Sequence, residues 1–157
     1  MGRQFSSRGF TLLELIAALL IAALLFTLGG PSVSALHDAM QYREAVRHLV
    51  SAVKNGRRDA LASGQPMDLL IDTVNNRYAL TNDAQNANAG SFTTLPLELE
   101  ITVVYAVEVS PSPDIAAIRF YPAGGSSGGE VSIVRESGSG VHLTIDWLLG
   151  DVTQEAL

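Results

Sequence analysis

The sequence contains no cysteine. Disulfides and thiolate metal ligation are therefore excluded. The compartment stays open, because an oxidising one permits disulfides without requiring them. Histidine is scarce: His37, His48 and His142 are all there is, and no two have H-x-x-x-H spacing. No zinc pattern results, and the three read as ordinary solvated or core histidines. Aromatic residues make up 6%, with one tryptophan, Trp147, expected in the core or at its edge, with an exposed anchor as the alternative. Basic residues are outnumbered 10 to 16, for a net charge of −6. That balance makes nucleic acid an unlikely partner, since such binding is driven by neutralising phosphates. The basic residues that do cluster are Arg43, Arg47, Lys54, Arg57 and Arg58. They read as a solvated helix face, with a protein contact as the alternative.

What is present is a long apolar run. Residues 10–28 are nineteen in number, and Glu14 is the sole charge among them. A run of that length can cross a bilayer core as a helix. A charge inside it costs roughly 2.5–3.5 kcal/mol on insertion scales, which marks Glu14 as functional and in need of a partner. A removed secretory signal would have a shorter apolar region, typically about 7–15 residues, and a small-residue cleavage site. A plain signal anchor explains the length and the basic flank of Arg3 and Arg8, which orients the N-terminus to the cytoplasm. It leaves Glu14 unexplained.

A third reading explains all three features. Gly9-Phe10-Thr11-Leu12-Leu13-Glu14 resembles the class III signal of type IV pilins and type II secretion pseudopilins. The resemblance implies cleavage after Gly9 by a prepilin peptidase on the cytoplasmic side, then N-methylation of Phe10. It implies that Glu14 faces the terminal amine of a neighbouring subunit in a filament. A buried carboxylate is tolerable with such a cationic partner. Loss of residues 1–9 removes Arg3 and Arg8, leaving 8 basic and 16 acidic residues and a formal side-chain charge of −8.

Beyond the run, Gly29-Gly30-Pro31 predicts a kink or break, because proline removes a backbone donor and clashes with the preceding turn. Residues 36–63 carry a second helical pattern. Ala39, Tyr42, Val46, Leu49, Val53, Gly56 and Ala60 recur at spacings of three and four, with Gly64 and Pro66 as stop signals. Strands are expected at 67–72, 77–81, 97–109, 115–121, 130–135 and 141–147. The 97–109 stretch alternates apolar residues with Glu98, Glu100, Thr102 and Glu108, a half-buried strand with an outward acidic face. Residues 82–91 and the Gly/Ser-rich 123–129 read as loops, the second flexible, and 153–157 as a fraying tail. Together these give an α+β fold, a long helix followed by one antiparallel sheet.

Two patterns invite catalytic or metal readings. Gly124-Gly125-Ser126-Ser127-Gly128 matches G-x-S-x-G, but residues 130–135 beyond it are strand-like, and His142 precedes Asp146. The hydrolase reading would rest on Ser126. Asp72, Asn75, Asn76 and Asp83 supply oxygens near a turn without the spacing of a calcium loop. No catalytic residue, metal or cofactor is assigned.

The C-terminal part narrows the resemblance. Ile118-Arg119-Phe120-Tyr121-Pro122, the Gly/Ser loop, and Trp147-Leu148-Leu149-Gly150-Asp151-Val152 are similar to the GspH/FimT group of minor pseudopilins and minor pilins. The helix end at 57–66 is similar too. The usual terminal threonine is Leu149 here. The resemblance implies a type IV pilin-like fold, with a leader at 1–9, a membrane or filament-core helix at 10–30, its amphipathic continuation at 31–63, and a periplasmic β domain at 64–157. It implies a non-enzymatic minor pseudopilin of type II secretion at or near the pseudopilus tip. The protein would be anchored in the inner membrane by one span, with the N-terminus cytoplasmic. Implied partners are other major and minor pseudopilins, the prepilin peptidase/methylase, the inner-membrane assembly platform and, as a further candidate, secreted substrates. The alternative is a FimT-like minor pilin in pilus assembly or DNA uptake. The acidic end of the chain counts against it.

Overall fold

The computed structural model describes residues 10–83, 91–96 and 99–157, with side chains throughout these except 26–35. Helix α1 runs Leu12–Ser63. Among the described residues eight strands come after it: β1 Met67–Asp72, β2 Arg77–Thr81, β3 Thr93–Thr94, β4 Leu99–Val104, β5 Ile115–Phe120, β6 Gly129–Arg135, β7 Gly140–Ile145 and β8 Val152–Ala156. The chain divides into two units, Met1–Ala39 and Met40–Leu157.

In the second unit α1 has a clear reason to be helical. Ala45, Leu49, Val53, Gly56 and Ala60 recur at three or four residues and are buried, as are Val50 and Ala52 beside them. Tyr42 and Val46, expected on the same stripe, are half-buried. The stripe packs on one apolar core shared by both sheets, through Leu69, Ile118, Phe120, Ile133, Leu143 and their neighbours. Gly56 is required by contact. A Cβ there would lie 2.8 Å from the Phe120 ring and 3.0 Å from Leu80. Gly64, at φ +68°, then ends the helix in the left-handed conformation, and its N–H donates to the Ala60 carbonyl.

The single sheet expected from sequence is two. Antiparallel β3-β2-β1-β5 forms one, and β4-β6-β7-β8 the other. In the first, Leu69 pairs with Ile118 and faces the core, while Asp68 pairs with Arg119 on the opposite face. Leu70 and Ala117 on that outer face are fully buried under Phe92, Val109 and Ile115.

Several expectations need correction. The break at Gly29-Gly30-Pro31 does not end the helix; a proline deletes its own donor but leaves the rest of the ladder to form. The strand read over 97–109 is shorter: β4 stops at Val104 and Val107–Val109 is a 3-10 turn. Its partner β6 begins at Gly129, at φ +153°, after Gly128 at φ +71°, so the pairing with β6 does not continue beside 105–109. Residues 97 and 98, Glu98 among them, lie outside the described residues, as does most of the loop read at 82–91. The tail does not fray. It forms β8, in register with β7 from Val141–Ala156 to Ile145–Val152 pairing.

Candidate functional site

The N-terminal segment supplies the first candidate. Gly9 lies outside the described residues. Thr11 is the N-cap of α1: its Oγ1 accepts from the Glu14 N–H at 3.3 Å, and its carbonyl receives the Glu14 and Leu15 N–H groups at 3.0 and 3.2 Å. Thr-x-x-Glu is the capping-box spacing, and it sets Glu14 in the first turn, where the helix dipole favours a carboxylate. Phe10, Leu12, Leu13 and Leu20 are each about two-thirds or more exposed. So many exposed apolar side chains need a cover of lipid or protein. Among the described residues no helix is long and apolar enough to cross a membrane; the described side chains of this run stop at 25.

The second candidate, Ser126, is not built as a nucleophile. It is buried, its Oγ donates to the Asp146 carbonyl at 3.0 Å, and it accepts from the Gly128 N–H at 2.9 Å. His142 is engaged elsewhere, with Ser132 at 2.9 Å and Glu130 at 3.5 Å. A nucleophilic serine needs a base within hydrogen-bond reach. The Gly/Ser loop is thus a fixed structural turn rather than a flexible one. The Ser126 N–H donates to the Trp147 carbonyl and the Ser127 N–H to that of Arg119.

The oxygen-rich turn is also committed. Asp72 accepts from the N–H groups of Val74 and Asn75 through Oδ1, and from the Asn75 amide and Arg77 through Oδ2, at 2.7–3.2 Å. Burial pushes its carboxyl up, yet the hydrogen bonds from Asn75 and the Arg77 guanidinium outweigh it and hold it below the ordinary value of 3.8. Four donors on its two oxygens commit the Asp72 carboxylate to the turn itself. Across the sheet, Asp68 receives Arg119 Nε and Nη2 at 2.7 and 2.9 Å. Those bonds hold the Arg119 guanidinium above its ordinary range, against the lowering effect of burial.

Trp147 is not in the core but takes the exposed alternative: it is 69% exposed, beside exposed Leu148 and Leu149. Apolar type alone gave no sign of this. The carboxylate at 146, two residues before the first turn N–H it receives, is the signal that could have shown an Asx-type turn there.

Comparison with known proteins gives the family. Residues 45–149 match the family described as type II transport protein GspH, and residues 5–29 match the prokaryotic N-terminal methylation motif. The chain belongs to the GspH family. It is 28% identical over 145 residues to the type II secretion system protein H of Xanthomonas campestris pv. campestris, covering 92% of this chain and 81% of that protein. Its fold is similar to the minor pseudopilin EpsH from the type 2 secretion system of Vibrio cholerae. The TM-score is 0.54 at 16% identity, over 74% of this chain and 96% of that one. The α+β architecture is therefore the type IV pilin-like one, and the chain is a GspH-type minor pseudopilin of type II secretion. Its family is one of structural pseudopilins, which implies other pseudopilins as partners. The secretion reading stands over the pilus alternative.

Proposed function

We propose that the chain is made as a precursor, cut between Gly9 and Phe10 by a prepilin peptidase, and N-methylated on Phe10. One inner-membrane span over 10–30 leaves the N-terminus cytoplasmic and residues 64–157 periplasmic. From there the inner-membrane platform inserts the subunit at or near the tip of the pseudopilus, where secreted substrates are a further candidate contact. The supporting observation is the helix start: Thr11 caps α1 and holds Glu14 one turn from Phe10, within an exposed apolar segment. In an apolar filament core a lone carboxylate is costly, and an incoming subunit's methylated amine offsets that cost only when aligned with it. Glu14 then selects register as well as contributing affinity.

Glu14→Ala tests this. The variant is cleaved and methylated normally, since the peptidase acts at Gly9, but its recovery with sheared pseudopili falls several-fold. Wild-type incorporation of Glu14→Ala would remove the role assigned to the carboxylate.

A further inference from the structure

The segment joining β7 to β8 displays apolar side chains on an unusually fixed backbone. Asp146 Oδ1 accepts from the N–H groups of Leu148 and Leu149 at 2.8 and 2.6 Å. The Asp146 N–H donates to the Asp151 carbonyl at 2.9 Å, and the Gly150 N–H to the Asp146 carbonyl at 2.8 Å. Gly125 passes so close that a Cβ on it would lie 2.8 Å from the Trp147 carbonyl oxygen. Yet Trp147, Leu148 and Leu149 are 69%, 62% and 55% exposed. Turns ordinarily carry polar residues. Tryptophan on a pre-ordered frame is the composition of a binding hot spot, because little conformational freedom is left to lose.

Beside this ridge lies a groove of about 690 Å³, walled by α1 and by 150–152. Leu61, Ala62 and Val152 make it apolar, and Lys54, Arg57 and Arg58 make its rim cationic. Arg57 is committed to Asp151 at 2.9 Å. Lys54 has no carboxylate within ion-pair distance among the described residues, and Arg58 reaches only its neighbour Asp59. Arg43, Arg47, Lys54 and Arg58 are spaced four, seven and four apart, which puts them on one face of α1. All four are exposed. An exposed cationic stripe is notable in a chain of net charge −6.

We propose that this groove and the Trp147-Leu148-Leu149 ridge receive a carboxylate-bearing apolar segment of a neighbouring, different pseudopilin. Charge complementarity selects an acidic segment, and the pseudopilins implied as partners are its source. A symmetric contact between two copies would set Lys54 and Arg58 against their own equivalents. The inference deepens the reading of the chain as a pseudopilus subunit and rests on it.

The full-length chain, expressed in its own secreting cells, carries a photoreactive phenylalanine analogue at Leu61, at Leu149, or at Val74 as the control. Val74 is 70% exposed and lies in the β1–β2 turn. The Leu61 and Leu149 probes cross-link to one and the same other pseudopilin, in a segment that mass spectrometry shows to contain Asp or Glu; the Val74 probe does not. Lys54→Glu with Arg58→Glu, both at exposed positions that leave the fold intact, lowers the yield roughly tenfold, and Lys in place of the mapped carboxylates restores it. Cross-links to a second copy, to lipid or to a secreted protein overturn the proposal. So does a yield no higher than at Val74 or one indifferent to charge reversal. Cleavage at Gly9 is monitored on the same gel. A cleaved chain lacking the cross-link removes the docking site alone, whereas an uncleaved chain removes the pseudopilin processing as well.

Discussion

Arg119→Met should cost more stability than Asp68→Asn, although the two residues form one ion pair. The Asp68 side chain is 3% exposed, and that of Arg119 is 32% exposed. Without Arg119 the carboxylate is stranded on the buried outer face of the first sheet, a loss of about 3–5 kcal/mol. Without the carboxylate charge, Arg119 can turn toward water, and the loss is limited to charged hydrogen bonds, about 1.5–3 kcal/mol. Replacing both, as Asp68→Leu with Arg119→Met, removes the stranded charge and should recover much of the deficit. At about 4 °C per kcal/mol for a unit of this size, Tm falls by about 12–20 °C in Arg119→Met and about 6–12 °C in Asp68→Asn. Thermal melts of the full chain in mild detergent, monitored by circular dichroism in the β region, read this order. Equal losses, or a double variant as unstable as Arg119→Met, would refute the argument that burial of the carboxylate decides the cost.

Asp72 contributes to the acid limb of stability. Its folded pKa is depressed, so its contribution is complete above the unfolded value near 4 and is lost as pH falls through the folded value. Melts below about pH 4 should therefore show a steeper decline for the wild type than for Asp72→Asn, and parallel curves would contradict the assignment. Gly56→Ala sets helix propensity, a gain of about 1 kcal/mol, against overlap with Phe120 and Leu80 at 2.8–3.0 Å, a loss of about 1–3 kcal/mol. A net loss of up to about 2 kcal/mol is expected in the same melts, and a raised Tm would show that the Phe120 ring yields freely.

Much of the fold was legible because it came from period and punctuation. The helix stripe from Leu49 to Ala60, the stop at Gly64, and strands β1 and β2 to the residue all come from apolar spacing and turn chemistry. So does the alternation of Leu99 and Ile101 inward with Glu100 and Thr102 outward. The features that local pattern missed depend on partners distant in sequence. Strand β8 has four exposed residues out of five and hence no apolar pattern; only its backbone pairing to β7 makes it a strand. The alternation beyond Val104 is real, but the pairing of β4 with β6 ends at Val104. The Gly/Ser loop looks free in sequence because its fixing bonds run to Arg119, Asp146 and Trp147. The N-terminal device is carried by a local motif. The display of Trp147 is not, since exposure of an apolar side chain is set by what the rest of the fold leaves uncovered.

The processing proposed here makes Phe10 the first residue and frees the amine that Glu14 is proposed to meet in the filament. Full-length chain should be isolated from membranes of peptidase-competent cells and its N-terminal peptide analysed by mass spectrometry. The predicted result is a peptide beginning at Phe10 and carrying one added methyl group on its amine, with Gly9→Ala accumulating as uncleaved precursor. A mature chain that retains Met1, or one that begins at any residue other than Phe10, would contradict the processing proposed for this pseudopilin.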